Sequence, residues 1–245
     1  EKCADAVAAF FATVYAGGFY SVLNTELPQN RLQTTVSVLN PKVIVTSESL
    51  LETAKEYFPE RKIVTFEDLA KSEPDYAKLG EIRIHKIDTD PLYINFTSGS
   101  TGTPKGIVVC HRSVIDFIDH FTEIFGIDNN DVIANQAPFD FDVSVKDIYS
   151  AVKTGATLVV VPRRMFSAPA ELIDFICDRR ITVMIWAVCA LCLISTFHAL
   201  DYRTPETVNK ILFSGEVMPL KALKNFRSHL PNPTNVNLYG PTEIT

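Results

Sequence analysis

Between two apolar runs, Leu92-Tyr93-Ile94 and Ile107-Val108-Val109, lies the stretch Asn95-Phe96-Thr97-Ser98-Gly99-Ser100-Thr101-Gly102-Thr103-Pro104-Lys105-Gly106. Three glycines, five small hydroxyl residues and one lysine therefore share a loop between two expected strands. That composition suits a polyphosphate. Glycine lets backbone N–H groups approach phosphate oxygens closely, hydroxyls add donors, and Lys105 adds a positive charge. The spacing is not that of a Walker loop, because no Gly-Lys-Ser/Thr closes a four-residue gap. A flexible linker has a similar composition, but linkers seldom lie between two apolar strands and end in a single lysine and glycine.

Two further stretches carry chemistry. Phe139-Asp140-Phe141-Asp142-Val143-Ser144 alternates aromatic and acidic residues. If extended, it puts the aromatics on one side and the aspartates on the other. Read locally, Asp142 caps a helix that starts near Ser144. Nearer the end of the chain, Asn237-Leu238-Tyr239-Gly240-Pro241-Thr242-Glu243 follows an expected strand. Read locally, it is a strand end with a Gly-Pro turn and an exposed glutamate.

The elements that must position these residues follow from hydrophobic pattern. Strands are expected at 43–46, 62–64, 92–97, 106–110, 131–135, 156–161, 182–187, 209–213 and 234–238. A helix with Cys3, Ala6, Val7, Phe10, Phe11 and Val14 at helical spacing is expected at the start. Ser113 with Asp116 predicts a capping box for a helix presenting Val114, Ile118, Phe121 and Phe125. Pro169 opens a helix carrying Leu172, Phe175 and Ile176, and Pro219 opens one carrying Leu220, Leu223 and Phe226. The last four strands start roughly 25 residues apart, the spacing of strand–helix–strand units. The expected class is α/β, with mostly parallel sheets flanked by helices. Ligands then gather at the carboxyl ends of the strands. Residues 1–91 read as a first lobe fragment with a polar excursion over 47–91, and residues 92–245 as a second lobe.

Composition excludes several classes. The 245 residues carry a net charge of −6, which leaves no basic footprint for nucleic acid. The longest apolar stretch, Val183 to Ile194, is shorter than the roughly 20 residues that span a bilayer. No signal peptide is visible. The five cysteines, Cys3, Cys110, Cys177, Cys189 and Cys192, show no zinc-ligand spacing and read as reduced, buried thiols of a cytoplasmic protein. No metal cluster is expected among His85, His120, His198 and His229, and no Ser–His–Asp arrangement is visible. Neither end reads as a natural terminus. The chain is expected to be a piece of a longer protein.

The run Thr97 to Gly106 resembles the signature loop of the AMP-forming adenylating enzymes, which include acyl-CoA synthetases, luciferases and adenylation domains of nonribosomal peptide synthetases. Asn237-Leu238-Tyr239-Gly240-Pro241-Thr242-Glu243 is similar to that family's second signature. The two occur in the family's order. Phe213-Ser214-Gly215-Glu216-Val217-Met218-Pro219 is especially like D-alanine–carrier-protein ligases. More loosely, Ala16-Gly17-Gly18-Phe19-Tyr20 and Leu27-Pro28-Gln29-Asn30-Arg31-Leu32 resemble early segments of the family.

The resemblance implies a fragment of the large N-terminal domain of the adenylate-forming fold, with the small C-terminal domain absent. It implies ATP and Mg²⁺ as cofactors. Thr97, Ser98, Gly99, Ser100, Thr101, Gly102 and Lys105 would cradle phosphates. Ser214, Gly215 and Glu216 would lie beside the adenine and substrate. Asn237, Tyr239, Gly240 and Thr242 would complete the nucleotide site, with Tyr239 stacking on adenine, Thr242 bonding a phosphate oxygen and Glu243 ligating Mg²⁺. Lys105, Thr242 and Glu243 would be the catalytic set.

In amino-acid-activating members, the aspartate matching Asp142 holds the substrate's α-ammonium group. Phe141, Asp142, Val143, Lys146, Trp186 and Ser214 are then the expected substrate contacts. Lys146 departs from the usual apolar or aromatic residue, and it either sets side-chain selectivity or turns to solvent. Trp186 walls the pocket or belongs to the core. Val188-Cys189 stands where relatives often have Pro-Ser or Pro-Thr. Cys192 and His111 read as packing residues.

The implied activity is activation of an amino acid to an aminoacyl-adenylate. In the full-length parent, transfer follows to the phosphopantetheine thiol of a carrier protein. No nucleic acid or membrane partner is expected. The alternatives are an acyl-CoA ligase for a non-amino acid and, for this piece alone, a non-catalytic nucleotide-binding fragment. The ribose-binding aspartate and catalytic lysine of relatives would lie past Thr245, so the isolated piece is expected to turn over poorly or not at all.

Overall fold

The computed structural model describes residues 2–97 and 104–244. They divide into two compact units, one of Cys3–Ser113 and one of Lys2 with Val114–Thr245.

In the first unit, helices α1 (Ala4–Tyr15) and α2 (Gln29–Leu39) precede a two-stranded parallel pair, β1 (Ile44–Thr46) and β2 (Ile63–Thr65). Helix α3 (Leu51–Tyr57) connects them, and α4 (Phe66–Lys71) and α5 (Tyr76–His85) follow. Leu32, Val36, Ile44 and Phe58 form a small core here. Strands β3 (Pro91–Thr97) and β4 (Lys105–Cys110) then pair antiparallel, with Thr97 opposite Lys105. This hairpin is not a strand–helix–strand unit, because the connection is too short for a crossover.

Helix α6 (His111–Phe125) starts two residues before the predicted cap. Its first N–H groups already have acceptors: His111 N–H donates to the Asp90 carbonyl at 3.1 Å and Arg112 N–H to the Asp88 carbonyl at 2.7 Å. Ser113 is left inside the first turn, its hydroxyl 3.2 Å from Cys110 Sγ.

The second unit is built on a five-stranded sheet, all parallel, in the order β6-β5-β7-β8-β9. Its strands are β5 (Val132–Asn135), β6 (Thr157–Val160), β7 (Val183–Ala187), β8 (Lys210–Ser214) and β9 (Thr234–Asn237). Helices α7 (Val143–Thr154), α8 (Pro169–Asp178), α9 (Val188–Thr196), α10 (Ala199–Tyr202) and α11 (Leu220–His229) supply the crossovers. The central strands read as continuous apolar runs because both faces are covered. Alternation divides them: Ala134, Met184, Trp186, Ile211 and Phe213 pack with Leu172, Ile176, Leu191 and Phe226 of α8, α9 and α11. Ile133, Val183, Ile185 and Leu212 pack with Phe121 of α6 and Ala151 of α7. Pro169 opens α8 as its composition predicts. In α11, Ala222 and Phe226 face the core, while Leu220, expected inside, is 73% exposed at the first position after Pro219.

The amino edge of this sheet is braced by a buried polar knot. Lys210 Nζ lies 3.2 and 3.1 Å from the two Asp131 carboxylate oxygens. The Thr182 hydroxyl donates to Asp131 at 2.7 Å and accepts from Val132 N–H at 2.9 Å. The opposite, carboxyl edge carries the candidate site.

Candidate functional site

Because all five strands run the same way, Asn135, Val160, Ala187, Ser214 and Asn237 end on one edge. Strand order reverses at β5, whose neighbours are β6 on one side and β7 on the other. Such a switch point opens a crevice between diverging loops. Here β5–β7 pairing stops at Ala134 opposite Met184, whereas β7–β8 pairing continues to Ala187 opposite Ser214. Two side chains bridge the opening. The Trp186 indole N–H donates to the Ala134 carbonyl at 2.8 Å, and Ala187 N–H donates to Gln136 Oε1 at 3.1 Å.

The connection from β5 to α7 holds the second candidate segment. It is not extended. Phe141 N–H donates to the Pro138 carbonyl and Ser144 N–H to the Phe141 carbonyl, both at 3.1 Å, so the chain turns continuously into α7. The aromatics accordingly part company: Phe139 is buried and Phe141 is 55% exposed. Asp142 is half-buried at the N-cap position of α7, but its side chain caps no backbone N–H. The local capping role is therefore not filled, and the carboxylate is not committed to the helix.

Lys146, one turn on, does not turn to solvent. It is half-buried, with its ammonium 5.9 Å from the Phe117 ring centroid. Burial pulls its pKa below the ordinary lysine value, against the attraction of Asp142 and Asp147. Val143 beside it is half-buried.

At the end of β7, Trp186 has no exposed surface and its ring meets Phe166 edge-on at 5.4 Å. This is the core placement weighed against a pocket wall. Val188 is buried, whereas Cys189 is exposed, contrary to the expectation of buried thiols. Its position at the start of α9, off the sheet's covered face, explains the difference. Cys192 is partly covered, and burial raises its pKa, with Cys189 and Glu216 contributing.

At the end of β8, Ser214 is half-buried, and Gly215 turns the chain with φ of 96°. Glu216 is exposed. After β9, Leu238 N–H donates to the Phe213 carbonyl at 2.7 Å and holds the next segment against β8. Asn237, Tyr239, Gly240 and Glu243 are exposed, Tyr239 at 98%, and Thr242 is half-buried in a short 3-10 turn, Thr242–Ile244. Thus Asp142, Ser214-Gly215-Glu216 and the Asn237–Glu243 segment all follow carboxyl ends of parallel strands of one sheet, β5, β8 and β9, with β7 between the first two.

In the first unit, Thr97 closes β3 and an exposed Lys105 opens β4 directly across from it. Ser98, Gly99, Ser100, Thr101 and Gly102, the centre of the expected phosphate loop, lie outside the described residues. His111 is partly buried at the start of α6, and burial, then Lys86, lowers its pKa.

Among the described residues, no group of three His, Cys, Asp or Glu side chains could hold a metal ion by itself. A single exposed carboxylate such as Glu243 fits only a hard cation held chiefly by phosphate oxygens.

Sequence reasoning missed a buried polar group behind Asp142. Lys2, Asn135 and Asp147 are joined by hydrogen bonds, and Asn135 and Asp147 have no exposed surface. One signal was available: Asp147 falls on the inward stripe of α7 with Ser144, Ile148 and Ala151.

A family model described as AMP-binding enzyme matches residues 1–245. A D-alanine--D-alanyl carrier protein ligase of Staphylococcus aureus (strain MRSA252) is 30% identical over 241 residues, 98% of this chain and 48% of that protein. The chain thus spans about half the length of the relatives it matches. The fold is that of a nonribosomal peptide synthetase, FmoA3, with a TM-score of 0.85 at 24% identity over 99% of this chain and 25% of that one. It is also similar to the Vibrio cholerae adenylation domain AlmE in complex with glycyl-adenosine-5'-phosphate, with a TM-score of 0.78 at 24% identity over 98% of this chain and 48% of that one.

Proposed function

The chain belongs to the AMP-binding enzyme family, and from that premise we propose that its parent protein activates an amino acid with ATP, giving an aminoacyl-adenylate and pyrophosphate. The observation that carries the amino-acid half is Asp142. It sits half-buried at the β5 side of the crevice, with a carboxylate that caps no helix N–H. A partly dry carboxylate of this kind binds an ammonium ion by a strong charge-assisted bond. The glycyl adenylate of the AlmE complex and the name of the staphylococcal relative support the same reading.

In the reaction, a substrate carboxylate oxygen forms a bond to the α-phosphorus of ATP, and the bond from that phosphorus to the bridging oxygen breaks, releasing pyrophosphate. The nucleophile is already an anion, so no general base is needed. The work is to hold two anions together and to stabilise the charge on the phosphoryl oxygens. Thr97, the residues Ser98 to Gly102 and Lys105 serve the phosphates. Thr242 donates to a phosphoryl oxygen. Glu243 would hold Mg²⁺, which supplies charge neutralisation when bound. Tyr239, with Asn237 and Gly240, serves the adenine side, and Ser214, Gly215 and Glu216 serve the place beside adenine and substrate. Phe141, Val143 and Lys146 face the side-chain end of the amino acid, whereas Trp186 acts from the core by bracing β7 against β5. The activated acyl group then passes to the phosphopantetheine thiol of a carrier protein.

Calorimetric titration with ATP·Mg²⁺ and amino-acid-dependent ATP–pyrophosphate exchange in the full-length protein test this reading. Lys105→Ala and Glu243→Ala should each weaken ATP·Mg²⁺ binding about tenfold or more, the worth of a charge-assisted contact. Asp142→Ala should leave ATP binding intact and raise the amino-acid KM by a similar factor. Unchanged amino-acid dependence in Asp142→Ala, with activity on acids lacking an amine, would give the assignment to a non-amino-acid ligase.

A further inference from the structure

The ammonium of Lys2 is surrounded by acceptors as the chain leaves β5. Nζ lies 3.1 Å from the Asn135 carbonyl, 2.8 Å from that of Gln136 and 3.3 Å from that of Ala137. It also lies 3.0 Å from Asn135 Oδ1 and 6.0 Å from the centroid of the buried Phe139 ring. Asn135 passes the contact inward: its Nδ2 donates to Asp147 Oδ2 at 2.7 Å. Asp147 is fully buried on α7, and its other oxygen has no hydrogen-bond partner among the described residues.

We infer that Lys2, Asn135 and Asp147 form a positioning clasp for Asp142, an inference that rests on the amine-binding reading given above. Asp142 lies at the far end of the turn that begins at Gln136. Lys2 gathers three successive carbonyls at the near end of that turn, and Asp147, one turn into α7, anchors the helix at the far end. Asn135 joins the two anchors through one side chain. Within that turn Phe139 is buried, whereas Phe141 is 55% exposed and the Asp142 side chain caps no backbone N–H. Gln136 belongs to the same arrangement, since its carbonyl accepts from Lys2 while its Oε1 accepts from Ala187 N–H across the crevice. The clasp therefore sets where the Asp142 carboxylate stands relative to the end of β7. Lys2 and Asp147 touch neither expected substrate nor nucleotide and act through Asp142.

Separate KM values for amino acid and ATP in pyrophosphate exchange, measured on the full-length protein, test the clasp. Lys2→Met and Asp147→Leu should raise the amino-acid KM about tenfold, on the scale of losing a well-placed charged contact, while ATP KM stays within about twofold. Asp147→Asn, which keeps an acceptor for Asn135, should restore most of the amino-acid KM. Hydrogen–deuterium exchange in Lys2→Met should rise within 136–146 and stay unchanged in β7 and β8. An equal rise in both KM values, or exchange that rises across the whole second unit, would mean that these residues merely stabilise the fold and would overturn the inference. If Asp142→Ala raises the amino-acid KM but Lys2→Met and Asp147→Leu do not, the clasp falls and the amine reading stands. If Asp142→Ala has no effect, both fall.

Discussion

Asp147 shows what a single carboxyl can do to stability when the core encloses it. Burial lifts its pKa from 3.8 to about 8, against the hydrogen bond from Asn135 and the attraction of Lys146 and Lys2. Lys2 moves the opposite way, from 10.5 to about 8, because burial outweighs the attraction of Asp147. The signs follow from proton counting. Between pH 3.8 and about 8 the native Asp147 keeps a proton that the unfolded chain has released, so stability falls as pH rises. Between about 8 and 10.5 the unfolded Lys2 keeps a proton that the native state has lost, so stability climbs again. The lowered pKa of Lys146 adds to the climbing limb. Urea midpoints measured from pH 5 to 10 should therefore pass through a trough near pH 8, and Asp147→Asn should flatten its descending side. A monotonic profile would show that the two groups titrate as they do in the unfolded chain. Trp186 offers a second residue-scale test. Replacing it with Phe keeps most of the apolar surface but removes the donor to the Ala134 carbonyl, which should cost about 1–3 kcal/mol by chemical denaturation. Residue types and spacing made Lys105 visible as a candidate, whereas Asp142 and Glu243 became candidates through the family resemblance. Neither could reveal Asp147, because a charged side chain in a helix is expected outside and only its stripe-mates betray it.

The elements were more legible than their boundaries. The expected strands are all present in the described residues, and the central ones, β5, β7 and β8, are written as short apolar runs because both their faces are covered. Helix starts were less so. The predicted cap at Ser113 was superseded when the Asp88 and Asp90 carbonyls, from a segment distant in sequence, satisfied the first N–H groups of α6. The extended reading of Phe139–Ser144 failed for a related reason: consecutive turns took up those backbone donors, which alternation of side chains cannot disclose. The turn after β8 is held by backbone geometry. Gly215 has φ of 96°, a region an L side chain occupies only under strain, although a Cβ there would meet no atom within 4 Å. Gly215→Ala should thus cost about 1–2 kcal/mol through conformation alone. That corresponds to a fall of a few degrees in Tm, measured by calorimetry. An unchanged Tm would mean that the turn relaxes freely.

At the scale of the whole molecule, class could be read and strand order could not. Regular strand–helix spacing dictates a parallel sheet, but whether β7 adds beside β6 or beside β5 is decided by packing on the two faces. The two parallel sheets differ in strength. Strands β5, β7 and β8 carry side chains buried on both faces, while β1 and β2 form a three-residue pair over a small core. Native-state amide exchange should be slowest in Ile133, Ala134, Met184, Ile185 and Leu212 and orders of magnitude faster at Ile44 to Thr46. Comparable protection in both would contradict this ranking.

The order β6-β5-β7 also has a consequence for how the chain is made. On a ribosome, β5 and β6 can meet as soon as α7 has formed, but the other side of β5 must wait until Val183 to Ala187 have been synthesised. During that interval a strand of Ile133 and Ala134, later sealed on both faces, presents an open row of peptide groups to its surroundings. A nascent chain paused between Val160 and Val183 therefore exposes one edge of β5 to non-native pairing.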